Sequence, residues 1–122
     1  MTAVSADKRR DEEDGLMAGD FLRRSLTTAV IAFNDRSALG VIKSFRAGGL
    51  RVPEDLSVVG FDNSQLARLS FVQLSSVSPE APLLAAAAVD RAIDRIEGKE
   101  GPVHVVSAPR LVVRSTTAPP AP

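Results

Sequence analysis

Two short apolar runs, TAVIAF at residues 28–33 and LSVVGF at residues 56–61, constrain the fold of this chain more than any other feature. Each is rich in β-branched residues and lacks the polar alternation of a strand with one wet face, so each reads as a strand covered on both faces. Each ends in a pair of turn-forming residues, Asn34-Asp35 and Asp62-Asn63. Between them Ala38, Leu39, Ile42 and Phe45 recur at helical spacing, and Gly48-Gly49 supplies the glycines that helix C-termini favour. Two buried-type strands joined by one helix give a right-handed parallel crossover. Ligands of open parallel sheets bind outside the carboxyl ends of the strands, so the unit from Thr28 to Asp62 is expected to form one wall of a binding cleft.

The remaining residues extend this unit into an α/β domain with one core. Leu16, Met17, Phe21 and Leu22 predict a helix over residues 11–25, weakened by Gly15 and Gly19. A helical turn is expected at 66–69 and a short third strand at 74–77. Pro79 and Pro82 then open a helix over 83–97, whose apolar face is Val89, Ala92, Ile93 and Ile96. Strands are expected at 103–107 and 111–115, separated by Pro109. Residues 1–14 read as a polar tail, 15–117 as the domain and 118–122 as a Pro-rich tail.

Composition excludes several classes of function. Fifteen basic residues balance fifteen acidic ones, so no net field favours DNA, and direct nucleic-acid binding is not expected. The chain has no cysteine, which removes disulfides, thiolate nucleophiles and Cys-ligated zinc. Residues 1–15 lack the apolar core of an export signal, and no run approaches a membrane span, so a cytoplasmic location without membrane contact is expected. The single histidine, His104, has no acidic or nucleophilic partner at catalytic spacing, and no metal cluster or phosphate-binding glycine loop is evident. An enzyme is not expected, and neither is a metal or a cofactor.

Candidate chemistry falls at the strand ends. Asn34, Asp35 and Asp62 combine a donor-acceptor amide with carboxylates, a set suited to the hydroxyls of a sugar or the polar edge of a small ring. Asn and Asp after a strand are also common helix N-caps and turn formers. The residues alone leave Asn34 and Asp62 open between the two roles and favour the cap for Asp35.

The ordered set of ND, GLRVPEDLSVVGFD and LVVRST, within residues 29–63 and 109–120, resembles the sensor domain of the LacI/GalR family of bacterial transcription regulators. The resemblance implies the C-terminal part of a periplasmic-binding-protein-like (type I) domain, a parallel-sheet three-layer lobe that is incomplete in these residues. It implies that Asn34 and Asp62 hydrogen-bond a small-molecule effector, a sugar or similar metabolite, while Asp35 and Asn63 support the turns. It also implies that Leu39, Ile42, Lys43, Leu66, Leu69 and Phe71 contribute to a dimer interface, with a second copy or with a full-length homologue. Asn63 stands where a second Asp is usual, and Ser78-Pro79-Glu80 replaces a common Arg-Gln-Pro, removing the family's Gln contact to ligand. No helix-turn-helix, hinge or opposing lobe is recognised in these residues, which predicts half a cleft and an uncovered apolar face. The reading that follows is a truncated LacI-type sensor without a DNA-binding headpiece; a stand-alone sugar-binding module and a gene remnant are the alternatives.

Overall fold

A computed structural model of the chain describes residues 11–102 and 104–120. Helix α1 (Glu12–Leu22) leads to strand β1 (Ala29–Ile31), helix α2 (Asp35–Ala47) and strand β2 (Ser57–Phe61). A 3-10 turn at Leu66–Arg68, strand β3 (Ser75–Ser78), helix α3 (Ala81–Ile96) and strand β4 (Arg110–Val112) follow. The sheet order is β1-β2-β3-β4; β1, β2 and β3 are parallel and β4 runs antiparallel to β3. The expected strand-helix-strand unit is present, and the lobe is of the α/β class.

Helix α1 begins inside the segment read as a tail. The Asp11 carboxylate accepts from the amides of Glu13 and Asp14 at 3.0 and 3.3 Å, and Glu12, Glu13 and Asp14 place negative charge at the positive end of the helix dipole. Residues 12–14 are therefore the first turn of α1. The glycines expected to weaken this helix have a packing role: a Cβ at Gly15 would overlap the carbonyl of Ser37, and one at Gly40 would overlap the carbonyl of Glu12. Three glycines, Gly15, Gly19 and Gly40, let α1 and α2 cross in backbone contact.

The inward stripe of α2, Ala38, Val41, Ile42 and Phe45, meets Ala32, Leu56, Val58 and Leu74 in the core. Only that side of the sheet is filled. Val30 packs against the core, whereas Ile31 is 71% and Phe33 60% exposed, so β1 is covered on one face and not on both as its composition predicts. Its position at the sheet edge among the described residues, with α2 on one side and no helix on the other, explains the difference. The lobe is incomplete in this sense: α3 has no buried residue and supplies no layer over the open face.

The expected strand at 103–107 is not formed by residues 104–107, and Val103 lies outside the described residues. A valine-rich segment becomes a strand only when it lies along a sheet edge that takes its hydrogen bonds, and residues 104–107 lie along neither β1 nor β4, the two free edges. Past β4 the chain is stitched to the sheet by Thr116, 2% exposed, whose hydroxyl donates to Val58 O at 2.7 Å and accepts from Ser75 N at 2.9 Å.

Thr116→Val is expected to lower the unfolding free energy in urea by about 1–3 kcal/mol, because the buried amide of Ser75 loses its acceptor. Gly40→Ala, whose new methyl meets backbone that no rotamer change can move, is expected to cost about 2 kcal/mol or more in the same measurement.

Candidate functional site

Each β1 residue stands beside the β2 residue 28 positions later, as Ala29 beside Ser57. The two strands run parallel in this register, so Asn34-Asp35 and Asp62-Asn63 leave the sheet at the same end. The two polar pairs named by the sequence thus meet at one end of the sheet, at its carboxyl edge.

Within this cluster the roles are divided differently from the expectation. Asn34 is the N-cap of α2: its Oδ1 accepts from Ser37 N at 2.8 Å. Asp35, expected to be the cap, is instead buried at 1% exposure, and its carboxylate accepts from Ser64 N and Ser64 Oγ, both at 2.7 Å, and from Ser76 Oγ at 2.5 Å. It occupies the first turn of α2, where the helix dipole favours a negative charge. Gly60 makes room for it, since a Cβ there would overlap Asp35 Oδ1. Asp35 therefore ties the turn after β2 to the start of α2 and to β3.

The turn it holds has unusual backbone. Asp62 has φ 100° and Asn63 φ 48°, two successive non-glycine residues on the left-handed side. Asp62 N donates to Val77 O at 3.0 Å, and its side chain is exposed at the rim of the sheet. Partial desolvation, and secondarily the charge of Asp35, push the Asp62 carboxyl above its ordinary pKa. Asn63 turns back into the structure: its amide donates to Ser76 Oγ at 3.0 Å, and its Oδ1 accepts from Arg114 Nη2 at 2.7 Å. Arg114 is anchored in turn by donation to Leu74 O at 2.6 Å.

Ser64, Ser76 and Arg114 support the site and were not singled out from the sequence as doing so. A signal existed for Ser76: the strand Ser75–Ser78 carries three buried serines, and buried hydroxyls imply polar partners. Arg114 lies in the motif LVVRST, but nothing local connects it to Asn63, 51 residues away.

The interface residues separate into two groups. Ile42, placed in the interface by the resemblance, is 4% exposed and belongs to the core on the inward stripe of α2, so it is withdrawn from the expected interface. Leu39 is partly buried against that core. Lys43 is exposed and pairs with Glu12 at 3.1 Å. Leu66 is half-buried, Leu69 is 37% and Phe71 73% exposed. A shallow concavity of about 410 Å³ lies between the starts of α1 and α2, lined by Glu12, Arg36, Leu39 and Leu66 among others. Asn34, Asp35, Asp62 and Asn63 do not line it. His104 is exposed, and no cluster of three or more metal-ligating side chains occurs among the described residues. No described helix is long and apolar enough to cross a membrane.

The raised pKa of Asp62 means that the folded state favours the protonated carboxyl, so this group opposes folding increasingly as pH rises from the ordinary carboxylate value through its raised one. Asp62→Asn, which keeps a residue tolerant of positive φ, is expected to raise the melting temperature at pH 7. Melting curves from pH 7 down to pH 3 are expected to show the advantage shrinking as the parent's carboxyl becomes protonated.

Comparison with known proteins fits this geometry. Residues 1–117 match the family model described as a periplasmic binding protein-like domain. The HTH-type transcriptional regulator MalR of Streptomyces coelicolor is 40% identical over 107 residues, covering 87% of this chain and 31% of that protein. The crystal structure of a LacI transcriptional regulator from a Rhodococcus species superposes with TM-score 0.81 at 45% identity, over 89% of this chain and 41% of that one. A LacI family regulator from Arthrobacter sp. FB24, in complex with lactose, superposes with TM-score 0.80 at 33% identity, over 88% and 42%. The chain spans about a third of the length of the curated relatives it matches. The chain belongs to the periplasmic binding protein-like domain family, in the form found in LacI-type transcription regulators, and corresponds to the C-terminal part of their sensor domain.

Proposed function

We propose that this chain is the effector-facing C-terminal part of a LacI-type regulator's sensor, and that Asn34 and Asp62 hydrogen-bond a sugar or a similar small polar metabolite. The observation that carries this reading is the strained turn at Asp62-Asn63, at the same end of the sheet as Asn34 and fastened through Ser64 and Ser76 to Asp35. Left-handed conformations of non-glycine residues cost free energy and persist where the surroundings over-determine them, as sites that present side chains to ligands do. A partly desolvated carboxyl, repelled by a neighbouring carboxylate, gains more from hydroxyl donors than one already satisfied in water. The lactose complex of the Arthrobacter relative supports a sugar as the ligand class.

Assembly with a second sensor, of this chain or of a full-length homologue, belongs to the same reading. Leu39, Lys43, Leu66, Leu69 and Phe71 are its contact residues. Phe71 supports it most directly, since an aromatic side chain 73% exposed beside the half-exposed Leu69 is a candidate anchor for a partner's surface.

A thermal-shift screen over mono- and disaccharides tests the ligand. A ligand at 100 times its Kd is expected to stabilise by about 2.7 kcal/mol. The shift is expected to vanish in Asp62→Ala and to remain in Phe71→Glu. A shift that persists undiminished in Asp62→Ala removes the site from the strand ends.

A further inference from the structure

The turn that carries Asp62 is gripped at the residue that follows it. The Asn63 amide donates to Ser76 Oγ at 3.0 Å, its carbonyl accepts from Arg68 Nη2 at 3.3 Å, and its Oδ1 accepts from Arg114 Nη2 at 2.7 Å. Two guanidinium groups thus converge on one uncharged residue. The two grips differ in kind. Arg68 is exposed and its bond is long, whereas Arg114 is half-buried and gives Nη1 to Leu74 O at 2.6 Å while Nη2 takes Asn63. A planar fork therefore spans two acceptors, one on the residue before β3 and one in the turn.

Stability is a poor account of this arrangement. A partly buried guanidinium gains most from a carboxylate, yet neither Arg68 nor Arg114 is paired with a carboxylate among the described residues. What the fork achieves is conformational. Asp62 at φ 100° and Asn63 at φ 48° lie in backbone that non-glycine residues keep only when their surroundings hold them there. The other ties of Asn63 are soft, an exposed arginine on one side and on the other a serine hydroxyl that is itself shared with Asp35. Arg114 supplies the stiff one, because its own backbone amide is fixed to Ser75 Oγ at 2.9 Å and its fork to Leu74.

We propose that Arg114 is the positioning residue of the effector turn: by pinning Asn63 to the start of β3 it keeps Asp62 in the left-handed backbone that presents its carboxyl at the edge of the sheet. Arg114 itself touches no ligand. This role rests on the reading of Asp62 as an effector contact, and it extends that site to the segment beyond β4, 51 residues away from Asn63 in sequence.

Nuclear magnetic resonance of the whole chain without any ligand tests the role, so a failed ligand screen and a failed positioning role are separate results. In the parent chain Asp62 and Asn63 are expected to give the strong NOE between amide and α-proton that left-handed backbone produces, and the Asp62 carboxyl to titrate above its ordinary value. In Arg114→Met both NOEs are expected to weaken about two-fold or more. The Asp62 titration is expected to fall toward the ordinary carboxylate value as the side chain swings into water, while the amide shifts of α1 and α2 stay in place. Asn63→Gly, which tolerates the backbone and leaves Arg114 its bond to Leu74, is expected to lower the Asp62 titration in the same way, and the double variant to lower it no further. Asn63→Asp, which keeps the acceptor, is expected to keep both NOEs. The proposal is overturned by an unchanged Asp62 NOE and titration in Arg114→Met or in Asn63→Gly, by a double variant that shows the sum of the two shifts, or by an Arg114→Met chain whose α1 and α2 loosen as much as the turn. Should Arg114→Met not fold, Asn63→Gly decides the matter alone.

Discussion

The loops at the carboxyl edge of this sheet depend on one buried negative charge. Asp35 has no cation within its set of partners; it is held by two donors from Ser64, one from Ser76 and the amide end of α2. Removing a carboxylate from water costs several kcal/mol unless its oxygens are filled with donors, so each of these bonds is nearly obligatory once the side chain is inside. The consequence is geometric. Three segments distant in sequence, the start of α2, the turn after β2 and the middle of β3, are forced to a common point, and Asp62 and Asn63 are bent through left-handed backbone on top of it. Arg114 extends the arrangement, through Asn63, to the segment that follows the last strand.

The parallel unit was legible in the sequence because its signals are local and repeated: two β-branched runs, a helical stripe between them and glycines at the helix end. The polar carboxyl edge was legible for a similar reason, since strand ends in such sheets are places where polar residues collect. What was not legible depended on neighbours. Asn34 and Asp35 are adjacent and of nearly equal capping strength, and only the positions of Ser64 and Ser76 decide which caps the helix and which turns inward. The strand expected at 103–107 has the right residues, but residues 104–107 pair with neither free edge of the sheet, β1 or β4. Gly15 and Gly19 read as defects in α1 until Gly40 is set opposite them. Ile42 has the same spacing whether its stripe faces a partner or its own core.

The one-sided sheet links fold to function. An effector site made only from the ends of β1 and β2 presents a wall, and specificity in small-molecule sites comes from enclosure by several convergent groups. The solved relatives superpose over about two-fifths of their length, so in them most of the chain lies beyond the part matched here. The polar rim at Asn34 and Asp62 and the apolar face at Ile31 and Phe33 are on one pair of strands, so what covers the face also bears on how the rim is approached.

The crossing of α1 and α2 sets how motion passes through this wall. Side chains in contact can rotate to absorb a small displacement, whereas carbonyls and α-carbons packed against one another, as at Gly15 and Gly40, have no such slack. The two helices are therefore geared together. With Asn34 at the head of α2 and the Glu12 carbonyl packed on Gly40, the pair is a stiff connection between the rim of the sheet and the surface that α1 presents.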